Sequence, residues 1–209
     1  MLSDLSGFDL VTVLVSIIVS LSIHEAMHGF VAHWLGDDTA KHEGRLTLNP
    51  LAHIDVFATI LLPMLLIIAH LPPILAAKPV PFNPSRLKFD EYGAALVALS
   101  GPLTNLALAG VSAILLRIWG PDLSREVVNA IFIFTQVNVG FFIFNMIPIP
   151  PLDGSRVLYA FAPEPLREIM ERIEAAGFLV ILFVFIIIIQ FFSEPIVQLQ
   201  SELLRLLLI

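Results

Sequence analysis

One five-residue stretch combines the residue types that bind a metal ion with one that can move a proton. It reads His24-Glu25-Ala26-Met27-His28. On a helix, residues four positions apart share a face, so both imidazoles can reach a single ion. Glu25 lies about 100° around the helix from His24, near such an ion without being forced to bind it. A general base that takes a proton from metal-activated water belongs there, so the pattern predicts a catalytic metal site.

The composition indicates that this motif lies in a membrane. Of the 209 residues, 57% are hydrophobic and 14% are charged, whereas soluble domains have about 45–50% and about 25%. Several uncharged stretches approach the roughly 20 residues that span a bilayer. A soluble, disordered or disulfide-stapled fold is therefore excluded. The net charge of -7 argues against nucleic acid as a partner, and the lack of cysteine excludes thiolate ligands and cysteine nucleophiles.

A polar stripe crosses the first predicted span, which runs from about Leu10 to Leu35. Its members recur every four residues and are Thr12, Ser16, Ser20, His24 and His28. An ionisable group inside a span costs about 2.5–3.5 kcal/mol, so we expect this stripe to face the bundle interior and a bound metal to compensate the histidines. Gly29 follows the motif directly and would let another segment approach the metal closely.

The remaining segments predict an all-α membrane protein, a polytopic helical bundle of five or six segments. Further spans are predicted at 92–116, 127–146 and 175–193, and 56–77 is either a kinked span or a re-entrant hairpin. Alternating prolines predict extended backbone at 78–84. The apolar tail 196–209 is predicted to be an interfacial helix or a short sixth span. We expect a single domain over 1–209, with a core at about 10–162 and the C-terminal span and tail at 175–209.

A third metal ligand is required, because a catalytic metal usually has three protein ligands and one open position. Asp153 is the candidate that stands apart from the loop carboxylates. It ends the run Asn145-Met-Ile-Pro-Ile-Pro-Pro-Leu-Asp153-Gly154, in which prolines break the helix and Gly154 allows a turn. Irregular backbone at membrane depth is tolerated where it lines a cavity or is buried in protein. The alternative is that Asp153 caps the helix that follows.

The two motifs, in this order and within apolar spans, resemble the site-2 protease family, the intramembrane zinc metallopeptidases. Two further stretches fit the same family, Ser100-Gly-Pro-Leu-Thr-Asn105 and Lys78-Pro-Val-Pro-Phe-Asn83. The resemblance covers about 23–158. The small size of the chain is similar to that of the short bacterial and archaeal branch of the family.

The resemblance implies that His24, His28 and Asp153 bind one Zn²⁺ and that Glu25 is the general base. It also implies that Asn145 lies near the active centre, where its amide would bind the substrate backbone or the developing oxyanion. The alternative for Asn145 is a helix C-terminal cap. Asn105 either packs helices together or supports the site.

The implied activity is hydrolysis of peptide bonds in transmembrane segments of other membrane proteins, in regulated intramembrane proteolysis. The expected partners are therefore a transmembrane protein substrate and the lipid bilayer of the cell membrane. A divalent-cation transporter is the alternative from another class, although transporters often show paired repeats and this chain has none. An inactive family member acting as a membrane adaptor is a third reading. The other histidines are predicted to be ordinary loop or helix-end residues: His33, His42, His53 and His70.

Overall fold

The computed structural model describes residues 6–53 and 78–208, and the longer regular elements in this part of the chain are all α-helices. We number them α1 (Gly7–Trp34), α2 (Thr39–His42), α3 (Asp90–Trp119), α4 (Arg125–Asn145), α5 (Asp153–Phe161), α6 (Glu164–Ala175) and α7 (Phe178–Leu208). Among the described residues, α1, α3 and α4 are long and apolar enough to cross a bilayer. The predicted all-α membrane fold is confirmed. The predicted segment 56–77, with His70, lies outside the described residues.

Helix α1 begins at a reciprocal cap. The Ser6 hydroxyl accepts a hydrogen bond from the Asp9 N–H, and the Asp9 carboxylate accepts one from the Ser6 N–H. Asp9 also accepts a hydrogen bond from the Asn129 side chain in α4, at 2.5 Å. The cap therefore both starts α1 and joins it to a second helix.

The buried face of α1 is the polar stripe that the sequence predicts. Ser16, Ser20, His24 and His28 are buried against α3 and α4, whereas Thr12, the first member of the predicted stripe, is only half-buried. Most large apolar side chains of the helix, such as Leu14 and Val15, are exposed on the outer surface. This arrangement is the reverse of a soluble helix and is typical of a helix whose outer face meets lipid.

Helix α3 is the centre of the bundle and packs against α1, α4 and α5. Small side chains form much of its buried surface: Ala94, Ala95, Ala98, Gly101, Ala109 and Ala113. Small residues let helix backbones approach closely in membranes, where lipid supplies no hydrophobic drive for association. As a result, the middle of α3 lies directly against the polar stripe of α1.

The predicted break in the fourth span is present between α4, which ends at Asn145, and α5, which begins at Asp153. Gly154 makes the turn possible, because a Cβ at this position would clash with the Met146 carbonyl. The chain thus folds back on itself, and Asp153 becomes the first residue of a new helix that packs on α3.

The C-terminal region differs from the prediction. The sequence predicts a span at 175–193 and a separate tail at 196–209, but α7 is one helix with Pro195 inside it. Contacts after the proline offset the lost hydrogen bond, since Ile196, Leu203, Leu204 and Leu207 pack on a buried cluster of α3 and α4. Helix α6 was not predicted, because its alternation of charged and apolar residues lies outside the uncharged stretches.

Candidate metal centre

Three potential metal ligands, two from α1 and one from the start of α5, lie close together against α3. The Nε2 atoms of His24 and His28 are 3.0 Å apart, and the Asp153 Oδ2 lies 3.0 Å from the first and 3.4 Å from the second. Tetrahedral ligands bound at about 2.0–2.2 Å lie roughly 3.3–3.6 Å from one another. Within the described residues this is the one group of three such side chains close enough to hold an ion.

The outer nitrogens of both imidazoles are held by acceptors, which fixes the tautomer of each ring. His24 Nδ1 lies 2.6 Å from the Asn105 side-chain oxygen, and His28 Nδ1 lies 2.8 Å from the Val97 carbonyl. An oxygen acceptor requires the hydrogen to be on Nδ1, so in the neutral form of each ring the lone pair is on Nε2, which faces the centre. The Asn105 amide is oriented in turn, because its nitrogen donates to Asn138 Oδ1 at 2.9 Å.

This donor set fits a bound cation. Two imidazole nitrogens and one carboxylate oxygen face one another, and both histidines are more than 90% buried. Lone pairs this close repel unless a positive charge lies between them. Two nitrogens and one oxygen are ligands that suit Zn²⁺ and leave a fourth tetrahedral position open.

Gly101 of α3 lets the backbone reach the two imidazoles. A Cβ at this position would lie 2.6 Å from the Nε2 atoms of both His24 and His28. Any larger residue would fill the space between the histidines and α3. Sequence reasoning did not single out this glycine, although a Gly-Pro pair inside an apolar span was a signal that could have found it.

Glu25 is half-buried and stands outside the group of three ligands. Its Oε2 accepts a hydrogen bond from the Val80 N–H at 3.0 Å. Gly29 admits the Val80 side chain, since a Cβ on this glycine would lie 3.3 Å from Val80 Cγ1. The close approach of another segment at Gly29, predicted from the sequence, is therefore present.

Comparison with known proteins agrees with this geometry. The profile of peptidase family M50 matches residues 120–189. A Bacillus subtilis protein named "Putative zinc metalloprotease YwhC" is 37% identical over 179 residues, which cover 82% of this chain and 78% of that protein. The chain belongs to peptidase family M50. This confirms the resemblance to the site-2 proteases, and the chain is accordingly a membrane metallopeptidase by family.

Other relatives carry the same type of name as the Bacillus protein. Rip2 of Mycolicibacterium smegmatis is 30% identical over 169 residues, covering 78% of this chain and 62% of Rip2. MJ0611 of Methanocaldococcus jannaschii is 50% identical over 62 residues, covering 30% of this chain. No solved structure gives a significant match. The M50 profile match includes Asp153 and the break before it, while His24 and His28 lie outside it.

The Asp153 carboxylate of this M50 chain points to the histidines and not to its own helix. The N-cap of α5 is Leu152, which makes no side-chain capping bond. An aspartate in the first turn is also favoured by the positive end of the helix dipole. The structure therefore does not support the alternative in which Asp153 caps α5.

Asn145 is the last residue of α4, and its amide nitrogen donates to the Phe141 carbonyl at 3.0 Å. The Asn145 side-chain amide thus makes a hydrogen bond within its own helix. The amide nitrogen carries a second hydrogen, so this local bond does not prevent it from donating to another group. A role in binding the substrate or the oxyanion therefore stays a prediction.

The other described histidines stand apart from the metal centre. His33 Nδ1 lies 2.6 Å from Asp38 Oδ1, and His42 is exposed. His53 is buried, with Nε2 2.8 Å from the Thr47 carbonyl. None of the three belongs to a group of ligands among the described residues.

Asp37 is the acidic residue that sequence reasoning missed. It follows α1 in the polar loop but is fully buried. Its carboxylate accepts hydrogen bonds from the N–H and hydroxyl of Thr39 and, at 2.6 Å, from the Asn83 N–H. Burial by itself raises the pKa of Asp37, but these bonds and the nearby Arg86 charge outweigh burial and lower the pKa below its ordinary value of 3.8.

Proposed function

We propose that this chain is a zinc metalloendopeptidase that cleaves transmembrane segments of other proteins in the cell membrane. One Zn²⁺ would be held by His24, His28 and Asp153, and Glu25 would act as the general base. The observation that carries the proposal is the set of three lone-pair donors from α1 and α5, the buried His24 and His28 and the part-buried Asp153, whose ligand atoms lie 3.0–3.4 Å from one another. Single-domain organisation over 1–209 is part of the same proposal.

Zinc in this site would polarise the scissile carbonyl and lower the pKa of an attacking water towards about 7. Glu25 takes the proton from this water and returns it to the leaving nitrogen. His24 and His28 keep their Nδ1 hydrogens, which the Asn105 oxygen and the Val97 carbonyl hold in place. Asp153 stays ionised and contributes negative charge to the ligand set.

The proposed substrate is a helix, and its peptide carbonyls are occupied by its own hydrogen bonds. Hydrolysis therefore requires the substrate to unwind locally, which exposes backbone groups that must be satisfied within the membrane. The non-helical backbone at 147–152 and 78–83 lies beside the site and can supply carbonyl oxygens, because its prolines have no N–H and most of its other N–H groups are already bonded. This supports a transmembrane segment as the substrate, in regulated intramembrane proteolysis.

Glu25→Gln is the decisive variant, because it keeps the shape of the side chain and removes the base. We expect cleavage of a reporter transmembrane substrate in nanodiscs to fall by about 10²–10⁴-fold. Zinc content, measured by elemental analysis, should be unchanged. Asp153→Ala is the matched variant, which should lose zinc and activity together.

Undiminished cleavage by Glu25→Gln would contradict the proposed role of Glu25. Zinc flux into proteoliposomes without any peptide hydrolysis would instead indicate the transporter alternative.

A further inference from the structure

An extended segment crosses the face of the site that carries Glu25. We call this segment, Lys78–Asn83, the strap. It begins where the described residues resume at position 78 and leads into a 3-10 turn at Pro84–Arg86. Pro79 and Pro81 fix the backbone torsion φ on either side of Val80 and carry no N–H. The Val80 N–H is therefore the sole backbone donor in the Pro79–Pro81 tripeptide, and it donates to Glu25 Oε2.

The strap is fastened at both ends. The Lys78 N–H donates to the His53 carbonyl at 2.9 Å, and the Asn83 N–H donates to the buried Asp37 carboxylate at 2.6 Å. Hydrogen bonds to charged acceptors are about twice as strong as neutral ones, so the Asp37 bond is the stronger of the two anchors. The middle of the strap is thus held between two fixed points.

Side-chain packing also holds the strap against α1 and α3. Val80 is 5% exposed and lies on Gly29 of α1. Phe82 packs against a buried cluster that comprises Ala32, Leu87, Ala94 and Val97. Because the donor at Val80 sits on a packed segment, its position relative to α1 is fixed before any substrate arrives.

A fixed donor on one carboxylate oxygen determines where the other oxygen points. Terminal torsions of glutamate side chains are broad, so a half-buried Glu25 would otherwise sample many orientations. A hydrogen bond to Oε2 restricts this rotation and holds Oε1 in one direction. A general base works only when its oxygen lies within hydrogen-bonding reach of the proton that it takes.

We propose that the Val80 backbone amide is a positioning group for Glu25, and that the strap holds this amide in place beside the Glu25 carboxylate. The proposal rests on the proposed function, because it assigns Glu25 as the base. It concerns a backbone donor, so removal of the Val80 side chain alone leaves the donor in place.

The hydrogen bond can be tested without proteolysis. We expect Glu25→Ala, which removes the acceptor, to speed amide hydrogen exchange at Val80 by roughly tenfold or more. Exchange at Asn83, whose amide is bound to Asp37, should keep its rate. Glu25→Gln retains a carbonyl oxygen and should preserve most of the protection. Equal Val80 exchange in the wild type and both variants would overturn the proposal.

The catalytic consequence is tested by replacing Val80 with its α-hydroxy acid, which changes the N–H to an ester oxygen and keeps the side chain. We expect kcat to fall by about 10- to 100-fold, with KM and zinc content unchanged. The same replacement at Leu87 is the matched control, because its N–H donates to the Pro84 carbonyl at 3.1 Å and not to Glu25. A wild-type kcat for the Val80 ester would overturn the positioning role.

Two amino-acid substitutions test the same role if the protein with the ester at Val80 does not fold. Gly29→Ala places a Cβ 3.3 Å from Val80 Cγ1 and should displace the strap and lower kcat. Adding Val80→Ala removes that methyl group and should restore kcat. Failure of either effect would count against the proposal. If the wild type cleaves no transmembrane substrate, the proposed function fails, whereas the exchange experiment still decides the contact between Val80 and Glu25.

Discussion

His24 is held in one orientation by a relay of side-chain amides that starts on a different helix. The Asn138 nitrogen donates to the Phe134 carbonyl at 2.9 Å, Asn105 donates to Asn138, and the Asn105 oxygen accepts from His24. Asn105 and Asn138 are both fully buried. Each amide has one orientation that satisfies its neighbours, so the relay selects a single histidine tautomer.

Asn105→Ala should weaken zinc binding, because it leaves the His24 Nδ1–H and the Asn138 oxygen buried without partners. Loss of an outer partner of a metal-binding histidine typically costs 10–100-fold in metal affinity. A competition titration with a chromogenic chelator measures this change. Ser112→Ala is the control, since it removes a buried hydrogen bond to Thr135, also between α3 and α4, without touching a histidine. Equal zinc affinity in both variants would contradict the relay.

At the scale of elements, patterns within one segment were predictable, whereas contacts between segments were predictable only where a metal ligand or a glycine indicated a partner. Apolar length predicted α1, α3 and α4 to within a few residues at each end, and the prolines predicted the break before Asp153. Asp37 could not be predicted, because a loop carboxylate becomes structural only through its partner Asn83, 46 residues away. The sequence did not decide whether Asn105 packs helices together or supports the site. In the structure its side chain does both, because it donates to Asn138 of α4 and accepts from His24 of α1.

Asp37→Asn should destabilise the protein at neutral pH, because an amide cannot accept from both Thr39 and Asn83 as the carboxylate does. The folded-state pKa of Asp37 is lowered, so its contribution is full above the ordinary value of 3.8 and is lost as pH falls towards the folded-state pKa. The difference in thermal midpoint between wild type and variant should therefore shrink below about pH 4. Asp38→Asn, at a more exposed carboxylate paired with His33, should have a smaller effect.

At the scale of the whole molecule, the site lies close to one end of the bundle. Helices α1 and α3 run antiparallel, since His28 meets Val97 whereas Ser20 meets Asn105. Trp34 at the end of α1 and Trp119 at the end of α3 are therefore at opposite ends, and both are exposed. Tryptophan is enriched at membrane interfaces. His28 lies six residues before Trp34, which places it about 9 Å along the axis from that interface.

This placement predicts that metal is removed faster from one side of the membrane than from the other. The chain has no native cysteine, so Trp34→Cys and Trp119→Cys each introduce a single thiol, and an impermeant maleimide should label them from opposite sides of sealed vesicles. An impermeant chelator should strip zinc faster from the side on which position 34 is labelled, because the route from that side is shorter. Faster stripping from the side of position 119 would mean that the polar stripe through Ser16 and Ser20, and not the Trp34 end, is the route to the metal.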